Sequence, residues 1–114
     1  MGDGEGGDGG AVWNQAVSYQ LIFRGVARRE FREAAEYYEA REPGVGVRFT
    51  NEVNAKINSI IRNPRRHPLW RGNLRRAVLA LFPYVLHFRV EGETVILLSV
   101  YHTKRNPTGV EHRH

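Results

Sequence analysis

The sequence predicts an α+β domain in which a helical hairpin packs on one face of a mainly antiparallel sheet, in the order β-α-α-β-β-β. Three patterns lead to this prediction. A stretch near the N-terminus alternates apolar and polar residues, two helical stripes follow with a proline-glycine turn between them, and the last third of the chain alternates again. At 114 residues the chain has room for one domain with one modest core.

The first strand is predicted over residues 17–24, whose side chains would point alternately to the two sides of a sheet. One side would carry Val17, Tyr19, Leu21 and Phe23. Gly25 interrupts the alternation, so we expect the strand to end before it.

Two amphipathic helices are predicted next. In the first, apolar residues recur every three or four positions until Pro43 and Gly44, which do not continue a helix. The second stripe starts immediately and stops at Asn63 and Pro64. The stripes consist of Ala27, Phe31, Ala34, Ala35 and Tyr38, and of Val45, Phe49, Val53, Ile57, Ile60 and Ile61. Because the link between them is so short, the helices are expected to form an antiparallel hairpin.

Residues 62–73 (RNPRRHPLWRGN) are predicted to form a proline-rich loop. The segment contains four arginines and no acidic residue. Since loops carry function more often than they carry cores, this segment is a candidate functional region.

Three further strands are predicted over residues 74–81, 84–90 and 94–102, with a hairpin turn at Gly92. A three-residue turn is expected, because it places the apolar residues of both hairpin strands on one side. That side would hold Tyr84, Leu86, Phe88, Val90, Ile96, Leu98 and Val100. The second face of the sheet would then present Val85, His87, Arg89, Val95, Leu97, Ser99 and Tyr101.

This second face is too apolar for a plain solvent surface, and it has a basic rim. Such a patch usually marks a partner-binding site, although the chain termini could equally cover it. The residues predicted to contact the partner are His87, Arg89, Val95, Leu97 and Tyr101.

Charge is distributed unevenly along the chain. The 17 Lys and Arg residues outnumber the 12 Asp and Glu residues, giving a net charge of +5, and three of the acids lie among residues 1–10. Without that segment the charge is +8. Because residues 1–16 are rich in glycine, they are predicted to be a disordered acidic leader, with a domain at 17–107 and a flexible tail at 108–114.

Several function classes are excluded or disfavoured. The chain has no cysteine, which excludes disulfide scaffolds, cysteine nucleophiles and cysteine-based zinc sites. No apolar run reaches the roughly 18 to 20 residues of a membrane span, and no signal peptide is recognisable, so a cytoplasmic protein without membrane contact is expected. No cofactor or metal is expected, since the histidines of the terminal EHRH lack a third ligand.

Four stretches of the chain resemble a known group of proteins. They are REFREAAEYYEAREPGVGVRFTNEV (29–53), INSIIRNPRRHP (57–68), RRAVLALFPYVLHFRV (75–90) and VILLSVYHTKRNP (95–107). Together they resemble the RelE/ParE superfamily of toxins from type II toxin-antitoxin systems. The resemblance implies a small α+β toxin that a cognate antitoxin holds inactive.

Two mechanisms occur within this superfamily, and they imply different roles for the same residues. RelE-like members are ribosome-dependent mRNA endonucleases, for which the residues of interest here would be Arg75, Arg76, His102 and Arg105. The chain departs from that pattern, because Thr103 follows His102 where a tyrosine is expected and the loop at 62–73 has no carboxylate. ParE-like members instead poison DNA gyrase through protein contacts.

The terminal HTKRNP and the FPY opening of the third strand favour the ParE branch. The resemblance thus implies a gyrase-contact surface formed by Arg75, Arg76, His102, Lys104 and Arg105. A ribosome-dependent nuclease, acting on mRNA, and a non-toxic module that only binds an antitoxin remain as alternatives. The site residues also have structural interpretations: Arg75 and Arg76 would be ordinary strand arginines, one of them pairing with Glu91 or Glu93, and His102 would cap the last strand.

The expected partner is a small acidic antitoxin. A domain of charge +8 with a partly apolar sheet face and a groove along a helical hairpin should attract an acidic, amphipathic segment. The second sheet face is its predicted binding surface.

Overall fold

A computed structural model describes residues 19–104 of the chain. The predicted leader and tail, together with the domain limits at residues 17 and 107, lie outside the described residues and stay predictions. Within them, two helices pack on one face of a five-stranded sheet, which confirms the α+β prediction.

The sheet combines strands from both ends of the described chain. The strands are β1 (Gln20–Phe23), β2 (Leu69–Arg71), β3 (Leu74–Val78), β4 (Tyr84–Glu91) and β5 (Thr94–His102). Their order in the sheet is β1-β5-β4-β3-β2, in which β1 runs parallel to β5 and the other neighbours are antiparallel. The helices are α1 (Gly25–Arg41) and α2 (Val45–Arg62), followed by a short 3₁₀ helix at Pro64–Arg66.

The core centres on the ring of Phe49 in α2, which is 0% exposed. Aromatic rings surround it from the other helix and from the sheet side, with ring centroids 5.0 to 6.0 Å away. These rings belong to Phe31, Tyr38, Phe82 and Tyr84. The helical stripes predicted from the sequence therefore face the sheet, as amphipathic helices must in order to bury their apolar sides.

The hairpin depends on a close approach of its two helices. A Cβ atom at Gly46 would lie 2.6 Å from the carbonyl oxygen of Ala35 and 2.8 Å from the Cβ of Glu39. The carboxylate of Glu39 accepts hydrogen bonds from the N–H groups of Gly44 and Gly46, both at 2.9 Å. Glu39 therefore satisfies backbone donors at the start of α2, where a negative charge is also favourable.

Two further glutamates connect the helices to the sheet layer. Glu52 of α2 accepts hydrogen bonds from the N–H groups of Ala80 (2.6 Å) and Leu81 (3.1 Å) in the loop after β3. Glu30 of α1 accepts one from the N–H of Val100 in β5 at 2.9 Å. The predicted strand at 74–81 ends at Val78. The N–H of Leu79 still donates to the carbonyl oxygen of Tyr84, but those of Ala80 and Leu81 bond to Glu52 and not to a neighbouring strand.

The predicted register of the β4–β5 hairpin was wrong. Glu91 pairs with Thr94 across a two-residue turn in which Gly92 has φ 61°, so β5 is shifted by one residue from the expected pairing. Two-residue turns with positive φ match the twist of a hairpin, which explains the shorter connection. A bulge at Leu98 then restores the predicted facing of Val100, because Phe88 pairs with Leu97 while His87 pairs with Ser99.

The shift reverses the first half of β5. Val95 and Leu97 lie in the core beneath the helices, each 1% exposed, and Ile96 lies on the second face. Placing Val95 and Leu97 on the second face was therefore an error, because a shift of one residue moves each side chain to the opposite side of a sheet.

The segment predicted as a loop at 62–73 has more structure than expected. It contains the 3₁₀ helix and β2, which pairs with β3 across the turn at Gly72 and Asn73. Gly72 has φ 51°, a conformation that favours glycine. This hairpin adds the fifth strand to the sheet and brings Trp70 over its second face.

We predict that Gly46→Ala destabilises the protein by about 1 to 3 kcal/mol, because the new methyl group must push the helices apart. Gly25→Ala is the matched control, since no atom lies within 4 Å of the position its Cβ would take. The control should leave the free energy of unfolding unchanged or raise it by up to about 1 kcal/mol. Urea unfolding of both variants measures the difference. Equal stabilities would contradict the close approach.

Candidate functional site

Acidic residues are distributed unevenly over the fold. Of the eight between residues 19 and 104, four lie on α1, one follows it at Glu42, one lies on α2 and two lie at the β4–β5 turn. Between Arg62 and Val90 the chain has seven arginines and no acidic residue. The segment after the helices and the strands β2, β3 and β4 therefore form the basic side of the molecule.

A cluster of aromatic and basic side chains lies on the second face of the sheet. The indole of Trp70 stacks on the imidazole of His87, with ring centroids 4.7 Å apart and planes 23° apart. The guanidinium carbons of Arg71 and Arg76 lie 4.7 and 5.4 Å from the centre of the indole ring. We call these four residues the Trp70 cluster. Adjacent strands assemble it, because Arg76 of β3 pairs directly with His87 of β4.

His87 anchors the cluster to the sheet. Its side chain is largely buried, and the residue is 9% exposed. Nδ1 lies 3.0 Å from Oγ of Ser99 on β5, and the ring of Tyr101 lies 6.4 Å away. The imidazole therefore has a fixed orientation beneath the indole.

The two arginines predicted for the site point to opposite faces, because side chains alternate along a strand. Arg76 belongs to the second face, whereas Arg75 pairs with the core residue Phe88. The Arg75 guanidinium donates hydrogen bonds to the carbonyl oxygens of His67 (2.7 Å) and Arg65 (3.4 Å). Arg75 therefore holds the preceding loop in place, and it is Arg89 that pairs with Glu91, at 2.6 Å.

His102 lies at the end of β5, away from both arginines. Its ring contacts Tyr84 with centroids 5.0 Å apart, and its Nδ1 accepts a hydrogen bond from the N–H of Lys104 at 3.0 Å. This is the strand-end cap that the structural interpretation predicted. His102 pairs with Tyr84, whereas Arg75 pairs with Phe88, so the two positions are separated by four residues of β4, or about 13 Å.

Of the other predicted contact residues, Lys104 is exposed and Arg105 lies outside the described residues.

The predicted antitoxin-binding residues divide between the two faces of the sheet. His87, Arg89 and Tyr101 share the second face, whereas Val95 and Leu97 are core residues for the reason given above. Ile96 and its neighbour Ile22 of β1 take their place, and Ile22 is 49% exposed.

Arg71 was not predicted from the sequence as a site residue. A usable signal was present, because a Gly-Asn pair between apolar segments is typical of a two-residue hairpin turn. Because residues 62–73 were predicted to be a single loop, the hairpin between β2 and β3 was missed. In this hairpin Arg71 lies beside Trp70.

A shallow groove runs along the helical hairpin on the side away from the sheet. Its two adjoining depressions have volumes of about 290 and 330 Å³. The floor is apolar around Ala35, Gly46 and Val47, with Arg28 and Arg32 at one end and Glu36 and Glu39 at the other. A groove along the helical hairpin was predicted from the sequence, and the structure contains one.

His67 is a half-buried titratable residue on the loop that Arg75 holds. Its Nε2 is buried and has no hydrogen-bond partner among residues 19–104, and its ring contacts the ring of Phe88 edge-on at 5.8 Å. Burial, and secondarily the charges of Lys56, Arg66 and Arg75, lowers the pKa of His67 below its usual value of 6.5. Folding therefore favours the neutral form of His67 over the protonated form.

A comparison with known protein families shows which family the chain belongs to. The family described as the ParE toxin of the type II toxin-antitoxin system, parDE, matches residues 21–107. The chain belongs to the ParE toxin family. It is thus a toxin of the type II toxin-antitoxin class, as the resemblance implied.

Solved structures of toxins share this fold. The chromosomal ParDE toxin-antitoxin system from P. aeruginosa gives a TM-score of 0.68 at 13% identity, covering 76% of this chain and 98% of that one. The isolated E. coli RelE toxin gives 0.56 at 24% identity, covering 84% and 96%. The RelBE2 toxin-antitoxin complex from Mycobacterium tuberculosis gives 0.54 at 22% identity, covering 75% and 99%. At such identities the likeness shows the fold of the toxin alone.

None of the curated proteins compared with the toxin matches its sequence. Between residues 19 and 104, no three His, Asp or Glu side chains are grouped so that they could hold a metal ion. Neither helix of the described toxin is long and apolar enough to cross a membrane.

We predict that the toxin loses stability as the pH falls below about 6.5, because the unfolded chain then binds a proton at His67 more readily than the folded chain does. His67→Phe retains a ring against Phe88 and should flatten this part of the pH profile. His102→Asn is the control and should keep it. Urea unfolding between about pH 5 and 8 measures both profiles. A His67→Phe profile as steep as that of the wild type would contradict the assignment.

Proposed function

We propose that the toxin poisons DNA gyrase through surface contacts and is neutralised by a small acidic antitoxin. The observation that carries this proposal is the separation of the residues that a nuclease would need together. Arg75 and Arg76 point to opposite faces of the sheet, and His102 lies at the far end of a strand. Membership of the ParE family supports the same conclusion, since the resemblance associates that branch with gyrase.

Cleavage of RNA requires a titratable group close to an arginine that neutralises the phosphate. Arg75 is committed to backbone carbonyl oxygens, and His102 caps its own strand. His87 is the histidine that pairs with Arg76, but it is 9% exposed and lies beneath Trp70. The geometry of the described residues therefore favours a binding function over the mRNA endonuclease alternative.

The proposed gyrase contact is made by those predicted contact residues whose side chains are at least partly exposed. Arg76 lies on the second sheet face, and Lys104 lies at the basic end of β5, next to the predicted contact residue Arg105. Arg75 would act indirectly, by holding the loop at residues 65–67. His102 would likewise orient the chain at Lys104.

The proposed antitoxin site is the second face around His87, Arg89 and Tyr101. Charge supports this placement, because the strands and loop from Arg62 to Val90 hold only basic residues among their charged ones. The exposed side chains of Ile22 and Val78 add apolar area on the same face. An acidic amphipathic segment matches both features.

We expect micromolar toxin to inhibit DNA supercoiling by purified gyrase and to leave mRNA on translating ribosomes intact. A plasmid supercoiling assay and toeprinting measure the two activities side by side. Unaffected gyrase would contradict the proposal, and codon-linked cuts would assign the toxin to the nuclease alternative. Expression without the antitoxin completes the test, because normal growth would favour the non-toxic module.

We expect the toxin to associate with its antitoxin rapidly at low salt and about tenfold or more slowly at high salt, because opposite charges steer the encounter. Stopped-flow fluorescence at about 50 and 500 mM salt measures this rate. Arg89→Glu should slow association at low salt, whereas Arg41→Glu, at the end of α1 and away from the sheet, is the control. An association rate that does not change with salt would rule out electrostatic steering.

A further inference from the structure

The Trp70 cluster holds two positive charges against one aromatic ring. The guanidinium groups of Arg71 and Arg76 both contact the indole, and the indole in turn rests on His87. A guanidinium stacked on an aromatic ring keeps its N–H donors free at the edges of its plane. The cluster therefore presents a fixed pair of donor groups rather than two flexible side chains.

These donors are not used within the described part of the toxin. Neither guanidinium forms an ion pair or a side-chain hydrogen bond with any residue from 19 to 104. Neighbouring arginines differ in this respect, because Arg75 binds carbonyl oxygens and Arg89 binds Glu91. Arg71 and Arg76 are thus available to an anionic ligand.

The position of the two charges favours a ligand with closely spaced anionic groups. Both guanidinium carbons lie near the same ring centre, which limits their separation to about 10 Å. A nucleic-acid strand carries one phosphate for roughly every 3.4 Å of its helix axis, so both arginines can contact one short stretch of backbone. An acidic peptide would have to order flexible carboxylate side chains to do the same, at an entropic cost.

We propose that the Trp70 cluster binds the phosphodiester backbone of a nucleic acid. This inference rests on the proposed function and extends it, because the nucleic acid would be the DNA that gyrase holds. Guanidinium groups suit phosphate oxygens through paired hydrogen bonds. Since these contacts address the backbone, binding would depend strongly on salt and little on base sequence.

Fluorescence anisotropy with labelled DNA and RNA oligonucleotides of the same sequence tests this proposal. The double variant Arg71→Ala/Arg76→Ala should bind the DNA roughly 10- to 100-fold more weakly and should lower the slope of log affinity against log salt by about two. Arg41→Ala is the matched control, because its guanidinium also stacks on an aromatic ring, Tyr37, at 5.3 Å. The control should behave as the wild type does.

A second variant keeps the test valid if the double alanine variant folds poorly. Arg71→Lys/Arg76→Lys preserves both charges but removes the planar donors, so intermediate affinity is expected. Urea unfolding shows whether each variant is folded. Wild-type affinity and salt slope in a folded double alanine variant would overturn the proposal.

The ligand class is tested with a polyglutamate peptide of matched charge. Tighter binding of the peptide than of either oligonucleotide, lost in the double alanine variant, would assign the cluster to a protein partner and overturn the proposal. Stronger binding of RNA than of DNA would support a phosphodiester site but contradict the assignment to gyrase-held DNA.

A parallel supercoiling assay separates the failure of this inference from that of the proposed function. A double alanine variant that has lost oligonucleotide binding but still inhibits gyrase fully would exclude the cluster, Arg76 included, from the gyrase contact. It would leave the proposed poisoning of gyrase by the toxin intact. Wild-type toxin that binds oligonucleotides but does not affect gyrase would contradict the proposed function and leave the phosphodiester site supported.

Discussion

Burial of the Phe49 ring is the interaction on which the rest of the structure depends. The ring contacts Phe31 and Tyr38 from α1, and Phe82 and Tyr84 from the sheet side, so it joins both helices to the sheet. Aromatic pairs of this kind contribute about 0.5 to 1.5 kcal/mol each beyond the area they bury. Because these contacts place the helical hairpin on one face, neither described helix covers the second face of the sheet.

The packing of the helical hairpin on the sheet also gives structural roles to several acidic residues. Carboxylates of the helical hairpin accept backbone hydrogen bonds, with Glu39 at the start of α2, Glu52 at the loop after β3 and Glu30 at β5. Glu39 therefore stabilises the helical hairpin, and Glu52 and Glu30 stabilise its contact with the sheet layer. Arg76 belongs to the second face of the sheet, where Trp70 orders it together with Arg71, whereas Arg75 holds the adjoining loop. This part of the molecule is basic because the chain has no acidic residue between Arg62 and Val90.

Alternation along the strands then determines what this surface can do. Arg75 and Arg76 are adjacent in sequence, yet one supports a loop and the other belongs to the Trp70 cluster. The related toxin structures share the fold at 13 to 24% identity, and a shared fold permits different targets because function depends on side chains placed on it. In this ParE-family toxin, the separation of Arg75 from Arg76 is the observation that supports the proposed binding function.

The sequence by itself determined the helical hairpin, the fold class and the family, because these depend on local periodicity, on Pro43 and Gly44, and on motifs read along the chain. It also predicted the limits of β5 correctly. Only the tertiary structure decided which face Val95 and Leu97 occupy, since a two-residue turn with a bulge at Leu98 and a three-residue turn both bury Val100. The Trp70 cluster likewise required the structure, because its stacking joins β2 to β4, and contacts between distant segments leave no local pattern.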